Sequence, residues 1–297
     1  MIECVPNFSE GRDLEKVRSI ADAIASAEGV LLLDWESDAD HNRSVVTFAG
    51  PAGAVVEGAI RGAERAKELI DLSKHQGAHP RVGVADVIPF IPLAGDSMGT
   101  CVAAARATAE GLWKRLGIPS YFYEAAAMDP ERKRLEKTRR PGFDGKPPDV
   151  GNIAAHPTAG ASMVGARGFL IAYNVDLETK DVAISQAIAK RVRASSGGFP
   201  HVKAMGLYLP ARECAQVSMN LTRYEEIPLM DLLRTIDEEA VKLGTRGGAG
   251  ELIGFIPMAA FQKAPEFFRR ARNFSEARIL EVRMRNVEQD NILRPAY

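Results

Sequence analysis

Two hydrophobic periods alternate along this chain, and the order in which they change predicts its fold. Leu14, Val17, Ile20, Ala21 and Ile24 recur at the spacing of an amphipathic helix, which Gly29 stops. Short apolar runs at 2–5, 30–33 and 44–48 read as strands, and Val55, Val56, Ala59, Ile60, Ala63 and Ile70 mark a second helix. A fourth strand spans 82–91. Its Pro89 and Pro92 predict an edge strand or an irregular end, because proline cannot donate to a ladder. A helix near 98–116 and a strand at 121–123 extend this set. The order restarts with a strand at 169–175, a helix at 178–194, strands at 202–209 and 215–221, a helix opened by Pro228, and a strand at 252–256. The segments 6–11 and 151–165 read as loops. A repeated β-α-β-β-α-β order predicts the α+β class, with two ferredoxin-like (βαββαβ) subdomains over residues 1–177 and 178–297. Helices would cover one face of each sheet, and a ligand cleft would lie between the subdomains.

Composition narrows the function. The 297 residues carry a formal net charge of −1, so no bulk field attracts nucleic acid or an anionic membrane, and an anionic ligand must be met by local cations. The three cysteines are far apart and form no Cys-x-x-Cys, which argues against a disulfide framework or a zinc knuckle. No apolar run reaches membrane-spanning length. The strand-like Ile2-Glu3-Cys4-Val5 follows Met1 directly, with no basic and apolar leader, so a cytoplasmic location is expected. The segment 129–150 crowds lysines and arginines among prolines and glycines. It reads as a solvated surface stretch or as a cationic lid.

Candidate chemistry centres on Lys74-His75-Gln76-Gly77-Ala78-His79-Pro80-Arg81-Val82-Gly83, a polar loop feeding the fourth strand. An imidazole titrates near neutrality and can both take and give a proton, so His79 is a candidate acid–base group; a structural loop histidine is the alternative. His75 and His79 have the i, i+4 spacing of a helical zinc pair. The intervening Gly77, the following Pro80 and the missing glutamate argue against a metal there, and none is expected. Glu36, read as lying just past the second strand, is placed to balance an imidazolium or to be a surface carboxylate. Arg43, Arg81 and Arg167 are candidate carboxylate binders, since guanidinium forks grip carboxylates bidentately.

The run Glu3-Cys4-Val5-Pro6-Asn7-Phe8-Ser9-Glu10-Gly11, then Asn42-Arg43, then Gly77-Ala78-His79-Pro80-Arg81 before Asp86-Val87-Ile88-Pro89-Phe90-Ile91-Pro92, closely resembles glutamate formimidoyltransferase, the transferase part of formimidoyltransferase–cyclodeaminase. Gly160-Ala161-Ser162-Met163-Val164-Gly165-Ala166-Arg167, Ala215-Gln216-Val217-Ser218-Met219-Asn220-Leu221 and Leu252-Ile253-Gly254-Phe255-Ile256-Pro257 continue the resemblance. It implies transfer of a formimino group from N-formimino-L-glutamate to N5 of tetrahydrofolate in histidine degradation, with formiminoglutamate and folate as small-molecule partners and a homodimeric state. His79 would be the catalytic histidine and Glu36 its carboxylate partner. The folate-binding segment would be Gly151, Asn152, Ile153, Ala154, Ala155, His156, Pro157, Thr158, Ala159 and Gly160. That segment keeps its glycines and Pro157 but has no aromatic residue near Pro157 and no Gly-Pro start. Other readings left open are a one-carbon transferase using 5-formyltetrahydrofolate or N-formylglutamate, and a non-catalytic folate-binding protein.

Overall fold

The computed structural model describes residues 1–39, 41–77, 81–93, 95–138, 147–152 and 155–293. The chain forms two compact units, Met1–Gly168 and Phe169–Tyr297. In the first, β1 (Ile2–Cys4), β2 (Asn7–Phe8), α1 (Leu14–Ala25), β3 (Leu31–Asp38), β4 (Arg43–Gly50), α2 (Ala52–Leu69), β5 (Ala85–Pro92), α3 (Met98–Gly111), β6 (Ser120–Glu124), α4 (Leu135–Thr138) and β7 (Ser162–Ala166) follow one another. The seven strands make one mixed sheet in the order β1-β4-β2-β5-β7-β6, with β3 on the outer side of β4. β1 and β2 share one lane between β4 and β5, and β7 runs parallel to both β5 and β6.

Local chemistry explains the helices. Asp13 caps α1 by accepting from the Glu15 and Lys16 amides, and Ser97 caps α3 by accepting from Thr100. Ile20, Ala21 and Ile24 of α1, Val55, Ala59 and Ala63 of α2 and Cys101, Ala105 and Ala109 of α3 are all part of one buried core. That core also takes Ile2, Cys4, Phe8, Val46, Phe48, Ile88, Phe90, Phe122 and Val164 from one face of the sheet. The opposite face holds a smaller buried cluster of Val87, Tyr121, Tyr123, Ala161 and Met163.

Three expectations for this unit change. β5 is central rather than an edge. Pro89 falls where its neighbouring lane is itself interrupted: β1 has ended, β2 has not begun, and the Val5 amide donates to the Pro89 carbonyl at 3.3 Å. The segments 6–11 and 151–165 are not loops throughout, because β2 and β7 lie within them. Their two and five residues are too short and too rich in small side chains to show a period. The basic stretch at 129–150 is anchored at Arg132, which is 4% exposed, pairs with Asp149 at 2.9 Å and lies over the Tyr121 ring. The remainder of the expected lid, 139–146, lies outside the described residues.

The second unit contains β8 (Ile171–Leu177), α5 (Val182–Val192), β9 (Val202–Leu209), β10 (Cys214–Leu221), α6 (Leu229–Lys242) and β11 (Gly247–Ile253). Its four strands form an antiparallel sheet in the order β11-β8-β10-β9. The buried core on its helical face includes Ile188 and Val192 of α5 and Leu229, Leu232, Leu233 and Ile236 of α6. The expected division after residue 177 moves to Gly168, because β8 pairs on both sides with strands of the second sheet.

Candidate active site

Glu36, Val45, Asn7, Val87, Met163 and Tyr121 are neighbours in strand register across the whole first sheet. Directly paired residues share a face, so this row lies on the side away from the main core. Glu36 is within β3 rather than beyond it, because the β3–β4 hairpin stays paired as far as Asp38 and Arg43. It is half-buried and two lanes, or roughly 10 Å, from Asn7.

The 74–84 segment is held from both ends. On its first side, Asn42 stands at the end of the hairpin in a left-handed conformation, with φ 48°, and is 8% exposed. Its Oδ1 accepts from the Gly11 amide at 3.0 Å, and its Nδ2 donates to the Gln76 carbonyl at 2.9 Å. Its own carbonyl lies 2.9 Å from His75 Nε2. A carbonyl only accepts, so Nε2 carries a proton in this bond; burial pushes the His75 pKa below its ordinary value, which favours the neutral ring. Gly77 has no side chain because a Cβ there would come 2.3 Å from the His41 carbonyl oxygen.

On the other side, the wholly buried Asp86 opens β5. One carboxylate oxygen accepts from the Val82 amide at 2.8 Å, and the other pairs with Arg43 Nη1 at 2.5 Å. Arg43 also donates through Nε to Asn7 Oδ1 at 3.0 Å. Arg81 donates to the carbonyls of His75 and Gly77. Arg43 and Arg81 therefore build the frame of the loop. His79 lies outside the described residues; Gly77 before it and Arg81 after it are fixed by the contacts above.

The second candidate segment is clasped onto the first. Gly83 and Gly160 form an antiparallel bridge. The Ala161 amide donates to Val82, and the Val84 amide to Ala159, each at 2.9 Å. The Leu72 amide donates to Thr158 at 2.8 Å. The approach is close enough that a Cβ on Gly83 would sit 1.9 Å from the Ala161 oxygen. Ser9 Oγ donates to the Gly83 carbonyl at 2.8 Å, tying the N-terminal loop to the same point. His156 and Gly160 exchange backbone hydrogen bonds at 2.9 Å, closing a tight turn. His156 Nδ1 accepts from the Thr158 and Ala159 amides at 3.3 and 3.1 Å. Gly151, Asn152, Ala155 and Pro157 flank this turn, while Ile153 and Ala154 lie outside the described residues.

Arg167 is not part of this gathering. β7 runs parallel to β5, so Arg167 leaves the sheet at the far end, where its amide donates to the Phe90 carbonyl. That is six residues along the strand, roughly 20 Å, from the clasp. There it faces the wholly buried Tyr123 phenol, whose pKa burial pushes up against the pull of the guanidinium.

A histidine-bearing loop, a glycine turn and a buried carboxylate–guanidinium pair thus converge from four separated stretches of the first unit. Residues 1–167 match the family model of the formiminotransferase domain, N-terminal subdomain, and residues 172–288 match that of the formiminotransferase domain. The chain belongs to the formiminotransferase family. Glutamate formimidoyltransferase of Thermoplasma acidophilum is 41% identical over 295 residues, covering 96% of this chain and 97% of that one. The protein of that name in Streptococcus pyogenes serotype M1 is 40% identical, covering 92% and 95%. Formimidoyltransferase-cyclodeaminase of Mus musculus is 38% identical over 90% of this chain and 52% of its own length. A microcompartment protein of Desulfitobacterium hafniense DCB aligns with 85% of this chain at 11% identity, but its TM-score of 0.24 carries no argument.

Within this formiminotransferase fold, His75 supports the loop as its place beside His79 suggested, whereas Asn42 and Asp86 are site builders that no hydrophobic period marks. Asn42-Arg43 and Asp86 stood in the quoted motifs, but their roles are long-range hydrogen bonds that leave no periodic signal. The left-handed Asn42 was the one locally legible cue, since asparagine is enriched in that conformation.

Proposed function

We propose that the protein transfers the formimino group of N-formimino-L-glutamate to N5 of tetrahydrofolate, releasing glutamate. The observation that carries this reading is the clasp. It brings the loop on either side of His79 against the 151–160 segment, within a chain that belongs to the family throughout both units.

The chemistry needs a proton moved twice. N5 attacks the formimino carbon, and His79 takes the N5 proton as the tetrahedral centre forms. His79 then gives that proton to the glutamate nitrogen, the bond from carbon to that nitrogen breaks, and glutamate leaves. Glu36 stabilises the imidazolium in between. The frame of Asn42, Arg43, Arg81 and Asp86 holds the loop, and holding two substrates in one geometry supplies much of the acceleration. Folate is an extended molecule with its pterin and its carboxylates at opposite ends. Arg167, far along the same sheet from the clasp, is accordingly proposed for a carboxylate, while residues 151–160 take the pterin end. The strand orders support reading each of the two units, Met1–Gly168 and Phe169–Tyr297, as a ferredoxin-like subdomain. A cytoplasmic homodimer is proposed on the resemblance.

The test is a donor panel of formiminoglutamate, N-formylglutamate and 5-formyltetrahydrofolate, followed by glutamate release and folate product. Formiminoglutamate with tetrahydrofolate is expected to give the largest kcat/KM. His79→Ala is expected to lose about 10²–10⁴-fold in kcat with the fold intact. Near-normal turnover in a folded His79→Ala protein would remove His79 from the mechanism.

A further inference from the structure

The 151–160 segment has no aromatic side chain besides the His156 imidazole. A flat heteroaromatic ligand held there must find a ring elsewhere in the fold. Trp113 is placed to supply it. The end of α3 widens into a π-helical turn, Leu112–Leu116, which closes on Gly117 in a left-handed conformation at φ 67°. Single π-turns of this kind shift side chains out of the helical register and are frequent at functional sites. Here the turn brings the indole under the start of the segment: a Cβ on Gly151 would lie 2.9 Å from Trp113 Cε3 and 3.0 Å from Pro119 Cβ. Gly151 itself has φ 105°, so both its backbone and its missing side chain suit a close approach to the ring.

The other end of the segment comes to the same helix terminus. A Cβ on Gly117 would lie 3.9 Å from His156 Cδ2, and Lys67 Nζ donates to the Leu116 carbonyl at 2.8 Å. The bonds to His156 Nδ1 from two backbone amides fix that nitrogen as an acceptor and leave Nε2 as the donor. The indole of Trp113 keeps part of its surface exposed. The chain's other tryptophan, Trp35, packs against the main core instead.

We infer that Trp113 is the stacking wall for the pterin ring of the folate, standing beside Gly151 and the His156–Gly160 turn in place of an aromatic residue within that segment. This rests on the folate reading above and adds to it the residue that binds the ring. A stacked indole gives affinity without chemistry, so its loss acts on folate KM and not on proton transfer.

The test compares Trp113→Leu with Trp113→Phe in the full-length protein, measuring tetrahydrofolate binding by equilibrium dialysis, KM for each substrate, kcat and Tm. Trp113→Leu is expected to raise folate Kd and KM roughly ten- to hundredfold, with kcat and the formiminoglutamate KM nearly unchanged, and Trp113→Phe to recover most of the loss. In a Trp35→Phe background, Trp113 emission is expected to change saturably with added tetrahydrofolate. Unchanged folate affinity in Trp113→Leu overturns the inference. So do equal losses in both variants accompanied by a lowered Tm, the mark of a filler under the loop. Because dialysis needs no turnover, Trp113-dependent folate binding without transfer activity would refute the proposed reaction and leave the stacking wall standing.

Discussion

Replacing Gly83 with alanine tests the clasp directly. The added Cβ would sit 1.9 Å from the Ala161 oxygen and 2.9 Å from the Ala161 carbonyl carbon. Both are backbone atoms that cannot swing aside, so the two segments must part by about 1 Å or more to restore ordinary contact. The Val84–Ala159 and Ala161–Val82 hydrogen bonds, each 2.9 Å long, run on either side of that point and would stretch together. At about 0.5–1.5 kcal/mol net apiece, their loss predicts a destabilisation of roughly 1–3 kcal/mol. Catalysis is expected to suffer more than stability, because a displacement of about 1 Å can cost on the order of 10²-fold in rate. Urea unfolding reads the first effect and kcat/KM for formimino transfer the second. Gly53→Ala in α2 is the matched control: a Cβ there meets nothing within 4 Å, and the change is expected to stabilise by about 0.5–1 kcal/mol. A Gly83→Ala protein with wild-type stability and wild-type kcat/KM would refute the clasp as the element that joins the two segments.

Two further substitutions probe the frame of the loop. Asp86→Ala strips a wholly buried carboxylate from Arg43, which is itself 11% exposed, and is expected to destabilise by about 3–5 kcal/mol in urea titrations while sharply lowering kcat. A loss below about 1 kcal/mol would show that the pair holds little. His75 gives a pH signature. Burial lowers its folded pKa below the ordinary 6.5, so between those two values the unfolded chain binds more protons and stability rises with pH. The contribution is complete above 6.5 and is lost as pH falls toward the folded value. Unfolding free energies from pH 5 to 8 are expected to fall more steeply on the acid side in wild type than in His75→Gln; parallel curves would contradict a lowered pKa for the half-buried imidazole.

The sequence carried the helices and most strands of this fold because their burial is periodic: Ile20, Ala21 and Ile24 face one core whatever else happens. It misjudged β5 because proline's missing donor is harmless where the adjacent lane is broken, and that break depends on Pro6, far away in the chain. β7 was hidden among the small residues of 162–166, whose pairing is supplied by β5 and β6 and not by their own side chains. At the site, the resemblance named His79 and Glu36, but the bonds from Asn42 to Gln76 and from Arg43 to Asp86 that frame the loop join residues tens of positions apart. Arg43 and Arg81 were read as carboxylate binders because a guanidinium suits that task. In the fold, Arg43 meets a carboxylate of the protein itself and Arg81 the carbonyls of its own loop.

The shared lane of β1 and β2 also governs how the first unit can be made. Residues 2–8 are synthesised early yet lie between β4 and β5, so they have no flanking partner until residue 50 and no second one until residue 92. Gly83 then waits for Gly160. Such long-range pairing makes assembly slow and leaves the early apolar strand exposed to wrong partners during synthesis. A chain arrested on the ribosome before residue 156 could bury α1 and α2 against the early strands and still lack the clasp. The clasp of this unit is accordingly completed late, only once the chain has been made past Gly160.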